Sequence, residues 1–306
     1  MEITRTETLR RDWPGPSAVL ALLKPITWFP PMWAYACGAI SSGQSLDTVF
    51  LVAALGVLLA GPLLCGTSQA VNDWFDRHVD AINEPDRVIP SGRMPGRWGL
   101  YIALLMSVLS ACVAALLGPL VFVAGLAGLA LAWGYSAPPF RFKQNGWIGN
   151  AAVGLSYKTL PWITAATAVT GLVPDNSVLL VGLLYGIGAH GILTLNDFKS
   201  IRGDTEMHIF TLPVLHGADA AARIACIVMA VPQMAVVGLL AHWSLPYHAM
   251  GVAALLSIQL VCMRRFLGDP VGRAVWYSSV GVGLYVTGMM VAAFGLRHAA
   301  LTSSLG

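Results

Sequence analysis

The chain of 306 residues is 56% hydrophobic and only 11% charged, with a formal net charge of +3, where water-soluble domains carry roughly 25% charged residues. This composition excludes an ordinary soluble core, and no nucleic-acid partner is expected. Cys37, Cys65, Cys112, Cys226 and Cys262 stand singly in apolar stretches with no CxxC or Cys/His cluster, so they read as packing residues rather than a zinc or redox site.

Residues 1–16 read as a polar cytoplasmic segment. The first apolar run is not followed by a small-residue cleavage site, which argues against a cleaved signal peptide. A helix needs about 20 apolar residues to span a bilayer, because its backbone amides must be satisfied internally. Nine stretches meet that need: 17–41, 48–72, 98–117, 119–136, 148–170, 177–198, 218–241, 247–267 and 275–296. Together they predict an all-α polytopic membrane protein with a single transmembrane domain over 17–298 and a short tail at 299–306. Turn signals punctuate them at Ser41-Ser42-Gly43, Gly118-Pro119, Gly171 to Asn176 and His242 to Pro246.

With nine spans, all of the 18 Lys and Arg residues except Arg297 and the intrahelical Lys158 fall on the side of the N-terminus. Cytoplasmic loops are enriched in such residues, so this side is expected to face the cytoplasm, in a cell inner membrane. The long loops, 73–97, 137–147 and 199–217, lie on the same side, which is where chemistry is expected.

The second span runs into Asn72-Asp73-Trp74-Phe75-Asp76-Arg77-His78-Val79-Asp80. At ~100° per residue, Asn72, Asp73, Asp76 and Asp80 project at about 0°, 100°, 40° and 80°, so one arc carries three carboxylates and an amide. Like charges on one face repel unless a cation sits among them, and an oxygen-only donor set suits Mg²⁺. The sixth span ends in Asn196-Asp197-Phe198-Lys199-Ser200-Ile201-Arg202-Gly203-Asp204, which repeats Asn, Asp and the last Asp at the same spacing, with Ser200 in place of Asp76. Both motifs end even-numbered spans and so face the same side, where they can converge on one ligand.

Arg87 and Arg93, in the turn-rich segment 83–93, and Arg141 and Lys143 beyond the fourth span have the chemistry to clamp phosphate; anchoring as positive-inside charges is equally open to them. Lys158 lies about halfway across the membrane, where an unpaired charge is costly. It either faces a substrate cavity, pairs structurally, or is neutral. The histidines show no metal-ligand spacing, and no P-loop, dinucleotide fingerprint or nucleophile elbow is present.

These motifs resemble those of the UbiA-type intramembrane prenyltransferases, and within them the bacteriochlorophyll synthases of the chlorophyll-type branch. The resemblance runs through Lys24 to Tyr35, Gln69 to Arg87, Ile89 to Arg93, Pro95 to Tyr101, Tyr135-Ser136-Ala137-Pro138-Pro139, Leu195 to Lys199 and Leu212-Pro213-Val214, covering about residues 18 to 296. It implies a nine-helix bundle that transfers geranylgeranyl or phytyl from its diphosphate to the propionate carboxylate of a bacteriochlorophyllide. Asn72, Asp76 and Asp80 would then hold Mg²⁺ and diphosphate, Asp197 and Asp204 a second ion, with Asp73 as a supporting carboxylate. Lys24, Arg87, Arg93, Lys143 and Lys199 would be phosphate contacts, and Tyr135 and Lys158 further substrate-binding residues. The chain departs from the pattern at Val88, Thr205, Phe210 and Thr211, where relatives usually carry Pro, two basic residues and Ser. The accepting carboxylate is ionised at neutral pH, so no protein base is required. Another acceptor (chlorophyllide, a quinone precursor or haem) and a noncatalytic pigment-binding paralogue are the alternatives. A transporter would place its charges near mid-membrane, whereas these acids cluster at helix ends.

Overall fold

The computed structural model describes residues 13–303. Arg5, Arg10 and Arg11, counted in the charge asymmetry, lie outside the described residues. The helices in chain order are α1 (Pro16–Leu23), α2 (Phe29–Ser41), α3 (Leu46–Leu58), α4 (Gly66–Asn83), α5 (Trp98–Leu116), α6 (Pro119–Ser136), α7 (Gly146–Gly154), α8 (Leu160–Thr170), α9 (Asn176–Asp197), α10 (Ile201–Glu206), α11 (Leu212–His216), α12 (Ala218–His242), α13 (Pro246–Leu267) and α14 (Pro270–Ser303). Among the described residues the extended structure is one isolated bridge between Asn145 and Phe210.

Seven helical runs are long and apolar enough to cross a membrane, and the chain is a multi-span membrane protein. They fall on seven of the nine expected stretches. Of the other two, 17–41 is divided into α1 and α2 by a 3₁₀ turn, while 148–170 lies within one helical run, 146–170, that carries a π turn. Proline stands at both irregularities. Lys24 closes α1 in the left-handed region (φ 46°), and Pro25, which follows it, starts a separate 3₁₀ turn, Pro25–Thr27, because its ring fixes φ and it has no N–H to donate. The stretch 148–170 is α7 and α8 joined by a π-helical turn, Leu155–Thr159, just before Pro161. A second π turn, Leu59–Cys65, holds Pro62 and joins α3 to α4. At each π turn the following N–H reaches back five residues, Gly66 to Gly61 and Leu160 to Leu155. That is how a helix absorbs a local register change without stopping.

The main core packs α2, α8, α9 and α12–α14 around Trp162, Tyr185, Met229, Phe266, Tyr277 and Tyr285. A smaller core joins α1, α4, α5 and the loop after α4 through Leu22, Val71, Val88, Met94 and Ile102. Lipid is as apolar as these side chains, so helix association in a membrane rests on close packing rather than on the hydrophobic effect. Gly38 on α2 shows the closeness: a Cβ there would stand 2.0 Å from the Trp162 carbonyl oxygen of α8. Gly38→Ala therefore has to separate two backbones, a cost of about 1–3 kcal/mol. Thermal unfolding in detergent should show a lower Tm for Gly38→Ala, and little change for Gly238→Ala, where a Cβ would meet nothing within 4 Å.

Candidate active site

The ends of α4 and α9 converge on one cleft of about 700 Å³, lined by Asn72, Asp76 and Asp80 from α4 and by Asp197, Lys199, Ser200 and Asp204 from the end of α9 and from α10. The two motifs thus face each other across one space. Arg87, Tyr135, Arg141, Lys143, Asn150 and Thr211 complete much of the lining.

The first motif is held by cations. Lys143 pairs with Asp76, and Arg87 lies 3.0 Å from Asp80 and 3.6 Å from Asp73, while also pairing with Glu84. Lys24 binds Asp73 at 2.6 Å. Asp73 is only 3% exposed and does not line the cleft. It sits at the edge of the predicted arc, turned toward the end of α1. The Asn72 amide donates to Asp76 at 2.9 Å and to the Ser136 hydroxyl at 3.1 Å. Burial lowers the pKa of the Lys143 ammonium, and the Asp76 carboxylate opposes the shift.

The second motif is held by neutral donors. The Asn150 amide donates to Asp197 at 3.3 Å and to Thr194 at 3.3 Å. Asp204, 8% exposed, accepts from the Ser200 hydroxyl at 2.7 Å and from Thr211 at 3.3 Å. Burial raises the Asp204 pKa above the usual carboxylate range, and the two hydroxyls oppose the rise. A short helix, α10, re-forms after the turn that ends α9 and returns Asp204 to the cleft. The backbone beyond it docks on the start of α7: the Phe210 N–H donates to Gln144 at 3.0 Å, and the Gly146 N–H to Phe210 at 2.8 Å. A Cβ at Gly146 would stand 2.8 Å from the Leu212 nitrogen, so this docking needs glycine.

Two expected substrate contacts stand elsewhere. Arg93 donates to the Asp86 carbonyl at 3.1 Å and to Ser91 at 3.3 Å, so it braces its own loop and lies outside the cleft lining. Lys158 is buried in the second π turn, and its ammonium reaches the Pro30 carbonyl at 3.4 Å, away from the cleft and without a carboxylate partner among the described residues. Of the three readings open to Lys158, this contact fits a structural partner or a neutral amine rather than a residue facing the cleft. Thr205 caps onto the Ile201 carbonyl, and the exposed Phe210 holds its position through its backbone. Asn150 and Thr211 hold the acids, and Ser136 holds the Asn72 amide, but none of the three was expected from sequence as a site residue. An Asn within the otherwise apolar α7 was the visible signal for Asn150.

Beyond Tyr135, which lines both spaces, lies a narrow apolar chamber of about 40 Å³. Both π turns wall it, through Leu59, Leu64 and Cys65 on one side and Ser156 and Tyr157 on the other, with Gly128 of α6 opposite. The Tyr157 hydroxyl closes the polar end, accepting from Gln69 and Cys65, each at 3.2 Å.

The UbiA prenyltransferase family model matches residues 27–280. The chain is 53% identical to the bacteriochlorophyll synthase 33 kDa chain of Cereibacter sphaeroides, over 94% of this chain and 95% of that one. It is 39% identical to the chloroplastic chlorophyll synthase of Arabidopsis thaliana, over 91% and 74%. Its fold matches a UbiA homologue from Archaeoglobus fulgidus solved with GPP and Mg²⁺, with a TM-score of 0.64 at 19% identity over 93% and 98% of the two chains. A charge-lined cleft opening on an apolar chamber, the family model and these relatives agree: the chain belongs to the UbiA prenyltransferase family.

Proposed function

We propose that this chain esterifies the propionate carboxylate of a bacteriochlorophyllide with geranylgeranyl or phytyl from the corresponding diphosphate, in a Mg²⁺-dependent reaction on the cytoplasmic side of a bacterial cell membrane, within one transmembrane domain over 17–298. The observation that carries it is the pair of Asn-Asp motifs facing each other across a cleft lined by both acids and cations, which continues into an apolar chamber. The names of the 46–53% identical relatives, bacteriochlorophyll synthases, supply the acceptor.

No three Asp, Glu, His or Cys side chains among the described residues gather as a metal cage. The donors are oxygens on opposite walls, which suits Mg²⁺, an ion that keeps waters and takes one or two carboxylates with substrate phosphates. Asn72, Asp76 and Asp80 would hold one ion, and Asp197 and Asp204 a second, as the resemblance of the two motifs to those of the family implies; a fold relative is solved with GPP and Mg²⁺. Bound Mg²⁺ would supply the positive charge that stabilises the departing diphosphate.

Lys143, Arg87 and Lys199 line the same cleft and would turn from carboxylates or solvent to phosphate oxygens, an exchange of anionic partners that leaves no buried cation unpaired. Lys24 and Asp73 hold the end of α4 to α1, and Arg93 braces the loop that presents Arg87. The prenyl chain would run past Tyr135 into the chamber, widening it by side-chain movement, and the dry walls keep water from the allylic carbon as its bond to oxygen breaks. The acceptor carboxylate attacks that carbon; it is already ionised, so the cleft needs no base.

Membranes containing the chain, given bacteriochlorophyllide, geranylgeranyl diphosphate and Mg²⁺, should form esterified pigment. Chelator should abolish it, and Asp76→Ala with Asp80→Ala should lower the rate by roughly 10²-fold or more; product from the double variant at the wild-type rate would sink the assignment. Thr211→Val removes a donor that favours the charged form of Asp204, so its pKa should rise further. The acid limb of the pH–rate profile should then move to higher pH, with activity restored in alkaline buffer; an unmoved limb would separate Asp204 from catalysis.

A further inference from the structure

On the far side of α7 from the cleft lies a second groove of about 340 Å³, lined among others by Trp147, Leu155, Leu183, Ile187, His190 and Val228. Trp147, Leu155, Leu183 and Ile187 are exposed on its rim. In a membrane such a surface would simply meet lipid, except for His190. This residue is 7% exposed, and neither of its ring nitrogens makes a hydrogen bond. The ring lies close to the backbones of Trp147 and of His190 itself without completing a bond to either. The Trp147 indole covers the imidazole at 5.3 Å between ring centroids, tilted by 37°. Thr159, another polar residue of the lining, is satisfied by the Gly182 carbonyl.

An ionisable side chain with no partner inside a membrane protein is costly and calls for a function. A neutral imidazole carries one N–H and one nitrogen lone pair, and with neither nitrogen hydrogen-bonded that lone pair is open to a metal. The metal here would not be the protein's own. A magnesium tetrapyrrole is a flat, apolar disc whose central ion, bound by four ring nitrogens, readily takes a fifth donor along its axis. An apolar groove with one unsatisfied imidazole and a half-exposed indole for stacking matches that chemistry.

Position agrees as well. His190 and Asp197 are seven residues apart on α9, hence on nearly the same face and about 10 Å apart along it at ~1.5 Å per residue. That is comparable to the reach from a chlorin's central metal to the carboxylate of its propionate arm. Only α7 separates the two spaces, with Asn150 and Gly149 facing the cleft and Trp147 and Ala151 facing the groove.

We infer that this groove is the acceptor site: the tetrapyrrole displaces the Trp147 indole, stacks on it, and takes His190 as the axial ligand of its magnesium, with its propionate directed over α7 to the cleft. The inference rests on the acceptor assigned under the proposed function. The test uses the purified full chain in detergent, with bacteriochlorophyllide and its metal-free counterpart bacteriopheophorbide as probes. The wild type should bind the magnesium pigment at least tenfold more tightly than the metal-free one, and ¹⁵N labelling of histidine should shift the metal–nitrogen Raman band of the bound pigment. His190→Phe should bring the two affinities together and remove the isotope shift, while Mg²⁺-dependent binding of prenyl diphosphate is retained as the sign of a folded cleft. Equal affinities or no isotope shift in the wild type, which require no variant to fold, overturn the proposal, as does an undiminished preference in His190→Phe. Esterification without an isotope shift rejects the histidine site alone; a wild type that neither binds nor esterifies the pigment rejects the acceptor reading, and this inference with it.

Discussion

Carboxylates at the edge of a low-dielectric bundle must be neutralised, and the way this chain does so determines the shape of its cleft. Asp73, Asp76 and Asp80 follow one another on the last turns of α4, where they would repel if left alone. Lys24 from the end of α1, Arg87 from the loop after α4 and Lys143 from the loop before α7 each come to one or more of them. Two segments distant in sequence, and the loop that follows α4, are thereby tied to one helix end. Burying charge is repaid only with good geometry and further hydrogen bonds, which Asn72 and Ser136 provide.

The second motif is neutralised differently. No salt bridge holds Asp197 or Asp204 among the described residues; amide and hydroxyl donors from Asn150, Ser200 and Thr211 hold them instead. One wall therefore carries cations that can be lent to a phosphate, and the other carries acids short of positive charge. Under the proposed function, the cations of the first wall would turn to an incoming diphosphate, and Asn72, Asp76, Asp80, Asp197 and Asp204 would hold divalent cations in their place. With that asymmetry, the proposed function has substrate and metal entering the cleft together, each supplying the partner that the other displaces.

Much of this was legible in the chain. The repeated Asn-Asp spacing located both walls, and the Lys/Arg asymmetry placed both on one face, because helical periodicity and charge distribution are local or additive properties. Sequence could not show which cation reaches which acid. Arg87 and Arg93 look alike in one loop, yet one enters the cleft and the other braces its own backbone, a choice made by tertiary packing. Nor did hydropathy separate an unbroken span from one carrying Lys24-Pro25 or a π turn, since proline in an apolar run is compatible with a kink, a break or a register shift. The Asn150 contact depends on α7 lying against α9, which no periodicity encodes. The same limit hid the open imidazole of His190, which reads in sequence as an ordinary buried histidine.

The central claim is that diphosphate and divalent cation fill this cleft cooperatively by exchanging partners with its ion pairs. The direct measurement is the affinity of the purified chain for the unreactive analogue geranylgeranyl thiolodiphosphate as Mg²⁺ is raised from zero. The account predicts that saturating Mg²⁺ tightens binding at least tenfold and that Asp76→Ala with Asp80→Ala removes most of this gain. An affinity independent of Mg²⁺, or an undiminished gain in the double variant, would contradict it.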